Sequence, residues 1–104
     1  MSEFHRQKAE EGLVFYERAK NTQALLDLEI SARERDEVIE RLEVSDFYKG
    51  PRPDKVLIGA EFWEFGKKVK GVDVYIKISL GFPGRSAACL SFHPAERKIK
   101  HPYR

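Results

Sequence analysis

The chain has 104 residues, of which 35% are charged and 41% apolar, with a formal net charge of +2. Such a length suits one domain, which hides about two thirds of its extended surface on folding, and the apolar share excludes the sparse composition of a disordered chain. The single cysteine, Cys89, excludes an intramolecular disulfide and a cysteine-based zinc site, and the scattered His5, His93 and His101 make no metal set.

From Ser2 to about Lys20 the residue types favour helix, with Ala9, Leu13, Val14, Phe15 and Tyr16 forming an apolar side broken at Gly12. Asn21-Thr22 interrupts that run, and either residue can cap a short second helix through Gln23, Ala24, Leu25, Leu26 and Leu28. Ser31 followed three positions later by Glu34 is a capping-box pattern, which starts a third helix over about Ala32 to Leu42. Its apolar stripe, Val38, Ile39 and Leu42, is expected to pack on a sheet, with Arg33, Glu37, Glu40 and Arg41 outward. Gly50, Pro51 and Pro53 rule out further helix, and Val44 to Pro53 reads as a hinge.

Extended runs follow. Lys55 to Phe65 is apolar on both faces and suits a covered strand, with Trp63 and Glu64 pointing to opposite sides. Gly66 to Gly71 reads as a basic turn. From Val72 to Phe82 the apolar residues Val72, Val74, Ile76, Ile78, Leu80 and Phe82 alternate with Asp73, Tyr75, Lys77, Ser79 and Gly81, the period of a strand with one buried face. After a Pro83-Gly84 turn, Ala87 to His93 repeats the pattern, with Ala88, Leu90 and Phe92 expected inward and Cys89, Ser91 and His93 opposite. If these two strands pair, Tyr75, Lys77, Ser91 and His93 share one open surface. The expected architecture is a single α+β domain: residues 1–50 mainly helical, 51–93 an antiparallel sheet, and 94–104 a basic, irregular tail.

No apolar stretch approaches the roughly 20 residues of a membrane span, and no charged segment with a following apolar run opens the chain, so a cytoplasmic protein without membrane contact is expected. Residues 1–50 hold 8 Lys/Arg against 12 Asp/Glu, a balance of −4, whereas residues 51–104 hold 11 against 5, a balance of +6. A basic half concentrates polyanions, RNA or DNA above all. A solvated surface of mixed charge is the plainer reading of the same numbers.

Three short segments carry a resemblance. Leu42-Glu43-Val44-Ser45-Asp46-Phe47-Tyr48-Lys49 resembles the SDFYK region of the MqsR (motility quorum-sensing regulator) toxins, a family within the RelE-like mRNA interferases. Val74-Tyr75-Ile76-Lys77-Ile78 is similar to that family's VYLKI strand, and Leu90-Ser91-Phe92-His93 to its closing VSFK strand. The likeness spans roughly residues 20 to 93. It implies a RelE-like fold, cleavage of single-stranded mRNA without a metal or other cofactor, and a cognate antitoxin that binds zinc and carries a helix-turn-helix. By position it also implies roles for Tyr48, Lys49 and Tyr75. His93 falls where the family has a functional lysine, and Trp63-Glu64 falls where it has Trp-Gln.

Cutting RNA without a metal requires a base for the 2′-hydroxyl, a cation for the phosphorane and an acid for the leaving 5′-oxygen. Histidine is the side-chain type whose unperturbed pKa lies near neutrality, able to give or take a proton, so His93 joins Lys49 and Tyr75 in the catalytic candidate set. Tyr48, Lys77, Ser91 and Arg104 are candidate RNA contacts. Glu64 is a further candidate, a carboxylate able to take a proton but also to repel phosphate. The same residues have bland readings: His93 as a surface residue, Tyr75 and Lys77 as solvent-facing strand positions, Tyr48 as a packing anchor, Trp63 and Phe65 as core, and Cys89 as strand filler. A non-catalytic RNA- or protein-binding module on the same fold is the alternative function.

Overall fold

A computed structural model of the chain describes residues 2–53, 61–80 and 86–103. Its elements are α1 (Ser2–Glu11), β1 (Leu13–Phe15), α2 (Ala19–Leu28), α3 (Ala32–Glu40), a 3-10 turn (Val44–Asp46), β2 (Phe47–Pro53), β3 (Glu61–Val69), β4 (Val72–Ser79) and β5 (Ala87–Pro94). Three N-terminal helices thus lie on a five-stranded sheet of order β1-β5-β4-β3-β2, drawn mainly from the C-terminal half, with β1 alone placed between α1 and α2. The sheet is mixed, not antiparallel, because β1 runs parallel to β5 while every other pair is antiparallel.

The extra strand corrects the first expected helix. Gly12 has a φ of +87° and ends α1, its N–H closing on the Lys8 carbonyl. Beyond it Leu13 and Phe15 turn to the core while Val14 stays exposed, the alternation of a strand. Asn21 and Thr22 do not break or cap α2 but lie within it, behind an extended Arg18. Asn21 is instead buried, donating to the carbonyls of Tyr16 (2.9 Å) and Leu90 (3.0 Å) and accepting from the N–H of Phe92 (3.1 Å).

The capping box that opens α3 is formed, Ser31 accepting from the Glu34 N–H and Glu34 from the Ser31 N–H. Ile39 and Leu42 join the core with Phe65, Val74, Ile76, Ile78 and Phe92, although the helix itself stops at Glu40. Among the described residues no helix is long and apolar enough to cross a membrane.

The expected hinge is largely a strand. After the 3-10 turn, Phe47 to Pro53 pairs with β3 at the sheet's edge, where prolines are tolerated because the side away from β3 needs no ladder. The basic turn shrinks likewise. β3 continues to Val69, and only Lys70 (φ 50°) and Gly71 (φ 80°) make the reversal, a pair of positive φ values suited to a two-residue hairpin. Of the expected run from Lys55 to Phe65, residues 55–60 lie outside the described residues, as do Gly81, Phe82 and the Pro83-Gly84 turn.

On β4, Val74, Ile76 and Ile78 are fully buried as expected. On β5 the inward set differs. Lys77 pairs with Ser91 but Ile78 pairs with Cys89, so Leu90 is an extra residue and its bulge resets the alternation. Ala87 and Cys89, not Ala88, therefore enter the core with Phe92.

Candidate functional site

Pairing across the sheet decides which side chains meet. The face turned from the helices carries Tyr75 opposite Gly66 and His93, and Lys77 opposite Glu64 and Ser91. From the edge, β2 adds Lys49 opposite Glu64 and Arg52 opposite Phe62, a shift in register between them keeping both on this face. Trp63 lies on the other face, packed against the core.

The segment after β5 walls this face. The N–H of Ala95 bonds the Asp73 carbonyl (2.8 Å), and exposed Glu96 pairs with Lys20 of α2, which holds its carboxyl below the usual range. Ile99 then lies on Gly66, where a Cβ would stand 2.6 Å from its Cδ1. His101 donates from Nε2 to the Gly66 carbonyl (2.8 Å), and Tyr103 reaches Phe47, with ring centroids 5.7 Å apart. Only Gly at position 66 lets the tail lie this close.

Between tail and sheet opens a cleft of about 350 Å³, lined by Tyr48, Lys49 and Arg52 from β2, Glu64, Tyr75 and His93 from the inner strands, and Arg97 from the tail. Tyr75 donates its O–H to Glu64 Oε1 at 2.5 Å. Burial first, then that bond to a carboxylate, raises its phenol well above the ordinary range, so Tyr75 is a protonated donor and ring surface, not a base. Glu64 Oε2 is buried with no hydrogen-bond partner among the described residues.

The His93 ring sits 5.4 Å from that of Tyr75, and its Nδ1 is 2.9 Å from the Pro94 carbonyl. A carbonyl only accepts, so Nδ1 carries the hydrogen and neutral His93 keeps its lone pair on Nε2. Lys49 Nζ stands 4.8 Å from the centroid of the Tyr48 ring. Lys49, Arg52 and Arg97 make no salt bridge among the described residues.

The expected site residues thus divide. Tyr48, Lys49, Glu64, Tyr75 and His93 line one cleft. Lys77 and Ser91 share the face but do not line the cleft, Lys77 Nζ lying 3.9 Å from the centroid of Phe62. Arg104 lies outside the described residues. Much of the basic half is spent internally: Lys67 pairs with buried Asp46 (3.2 Å), Lys68 with Asp73 (3.3 Å), and Lys70 donates to the Glu29 carbonyl (2.7 Å).

Sequence reasoning missed Arg52 and Arg97. Arg52 is legible only if its flanking prolines are read as an edge strand beside Lys49, and Arg97 only if the tail folds back. Cys89 is no nucleophile here, since burial pushes its thiol up to about 12. Among the described residues no three His, Cys, Asp or Glu side chains are grouped to hold a metal ion. No protein-family model matches this chain, and no curated protein or solved structure matches it either.

Proposed function

We propose that the chain is an endoribonuclease that cleaves mRNA without a metal, the toxin of a type II toxin–antitoxin pair with a RelE-like fold of the MqsR kind. The observation that carries the reading is the cleft itself: a histidine with a defined free nitrogen, a tyrosine ring beside it, and three cations that make no salt bridge among the described residues. The three-motif resemblance supports the same assignment, since Tyr48, Lys49, Tyr75 and His93 all line that cleft.

In this reading His93 Nε2 takes the proton of a 2′-hydroxyl, and the 2′-oxygen attacks the adjacent phosphorus. Lys49 and Arg52 steady the charge of the phosphorane, and Arg97 closes the opposite wall. The P–O5′ bond breaks, and the 5′-oxygen leaves with a proton from Lys49. The products are a 2′,3′-cyclic phosphate and a 5′-hydroxyl end. Tyr75, its O–H committed to Glu64, offers its ring to a base. A cognate antitoxin, zinc-binding with a helix-turn-helix, keeps the enzyme silent in the cell.

Glu64 favours a second reading. A carboxylate in the cleft repels phosphate, which suits a non-catalytic binding module on the same fold. Incubating the purified chain with a long RNA in EDTA separates the two. New 5′-hydroxyl ends that vanish in His93→Ala and Lys49→Ala support the nuclease. Retention of RNA without new ends supports the module and defeats the nuclease.

A further inference from the structure

The cleft has a neighbour. On the far side of Tyr48 and Lys49 a second groove, open to solvent, is lined by those two residues together with Lys98, Lys100, His101 and Pro102. Lys98 and Lys100 are exposed and, like Lys49, make no salt bridge among the described residues. Their backbone is nevertheless held in place. Ile99, between them, rests on Gly66, and His101 bonds the Gly66 carbonyl, so both ammonium groups project from an anchored segment.

We infer that this groove is a second, phosphate-binding subsite, which takes the nucleotide next to the one in the main cleft and makes single-stranded RNA the ligand of the whole face. The inference rests on the proposed function for the identity of the first subsite. Three features argue for a strand. The two grooves share Tyr48 and Lys49 and so lie side by side, within reach of consecutive phosphates of one strand. Tyr48 lines both, which sets an aromatic ring where a base between two phosphates stacks. None of the residues lining the second groove is acidic, whereas Glu64 and Glu96 line the first. The second groove therefore holds phosphate without the repulsion that a carboxylate brings.

The test uses single-stranded oligonucleotides of 2′-deoxy chemistry, which bind but cannot undergo 2′-oxygen attack, so it reads binding apart from cleavage. The variant is Lys98→Ala/Lys100→Ala, both at exposed positions, with circular dichroism to show that it folds. Each phosphate contact on a single strand contributes about 0.7 to the slope of log K against log salt, so removing two lowers the slope by about 1.4. At 0.1 M salt that corresponds to weakening on the order of 25-fold. Lys68→Ala, an exposed lysine of the β3–β4 hairpin paired with Asp73, is the comparison and is expected to leave the slope unchanged. Wild-type affinity and slope in the double variant, or no oligonucleotide binding by the wild-type chain, overturns the subsite. A wild-type chain that binds with the expected slope change but never cuts RNA keeps the subsite and overturns only the nuclease.

Discussion

Gly66 is where the fold and the cleft depend on a single missing methyl group. In Gly66→Ala the new Cβ stands 2.6 Å from Ile99 Cδ1 and 2.7 Å from its Cγ2, against roughly 3.5–4 Å for a comfortable carbon contact. Ile99 must withdraw by about 1 Å, and the β-branched Cγ2 leaves it little rotamer freedom to do so. The tail then loses the burial of a partly buried isoleucine, about 1 kcal/mol, and strains the His101 bond to the Gly66 carbonyl, about 1 kcal/mol more. A loss of about 2 kcal/mol raises the detached population of the tail roughly 30-fold. Trypsin cleavage after Lys98 and Lys100 reports that population when reclosing outruns cutting. The expected result is tryptic release of the tail at least tenfold faster than in wild type, while the sheet melts within a few degrees of its usual temperature. In Gly66→Ala/Ile99→Ala the clash is gone, so the two changes should be strongly non-additive. Equal tryptic rates in Gly66→Ala and wild type would refute the close approach of tail to strand.

Other consequences are measurable by simple means. Asn21→Ala strands two carbonyls and an N–H, all in or near the core, and should cost about 3 kcal/mol in denaturant unfolding. Ser31→Ala removes the acceptor of the α3 capping box and should cost about 1 kcal/mol, read as a shift of the denaturation midpoint at constant slope. Cys89 should resist alkylation in the native state and react only on unfolding, so a native rate close to that of a free thiol would contradict its burial. Alkaline stability follows from raised pKa values: the Cys89 thiol, pushed to about 12, and the Tyr75 phenol both lose their protons more readily in the unfolded chain. Stability should therefore be full below about pH 8.5 and decline above it, with Cys89→Ala removing the early part of the fall and Tyr75→Phe the part beginning near pH 10.

The regular parts of this fold are legible because each writes its period into the chain. The alternation from Val72 gives β4 and its buried face, and Ser31 with Glu34 gives the start of α3, both by local rules that the packing leaves alone. What is illegible depends on contacts distant in sequence. Leu13 to Phe15 suits a helix as well as a strand, and only a parallel place beside Ala87 to Cys89 decides the matter. The prolines around Arg52 forbid a helix but do not distinguish a hinge from an edge strand. Three lysines of the supposed basic turn have partners, two of which, Asp46 and Glu29, lie over 20 residues away, so counting charge overstates how much is free for RNA.

The bulge at Leu90 shows how a misread residue and a misread face have one cause. β1 is short: its ladder to β5 closes with the N–H of Tyr16 on the Cys89 carbonyl (3.0 Å), and the chain then turns into α2. From that point β5 needs another partner for its backbone. Asn21 supplies it, its amide donating to the Leu90 carbonyl and accepting from the Phe92 N–H while also bonding the Tyr16 carbonyl. A side chain of α2 thus continues the ladder that β1 abandons and satisfies the carbonyl of the extra residue and the N–H two positions beyond it, groups that a bulge otherwise leaves unpaired. Asparagine has the one donor-and-acceptor end that fits, which is why it occupies the interior of a helix despite its low propensity. With the bulge held there, Cys89 turns into the core and the residues beyond it keep the pairing of Ser91 with Lys77 and His93 with Tyr75. The position of His93 in the cleft is therefore set partly by a helix residue on the far side of β5, a dependence that no periodicity along β5 can reveal.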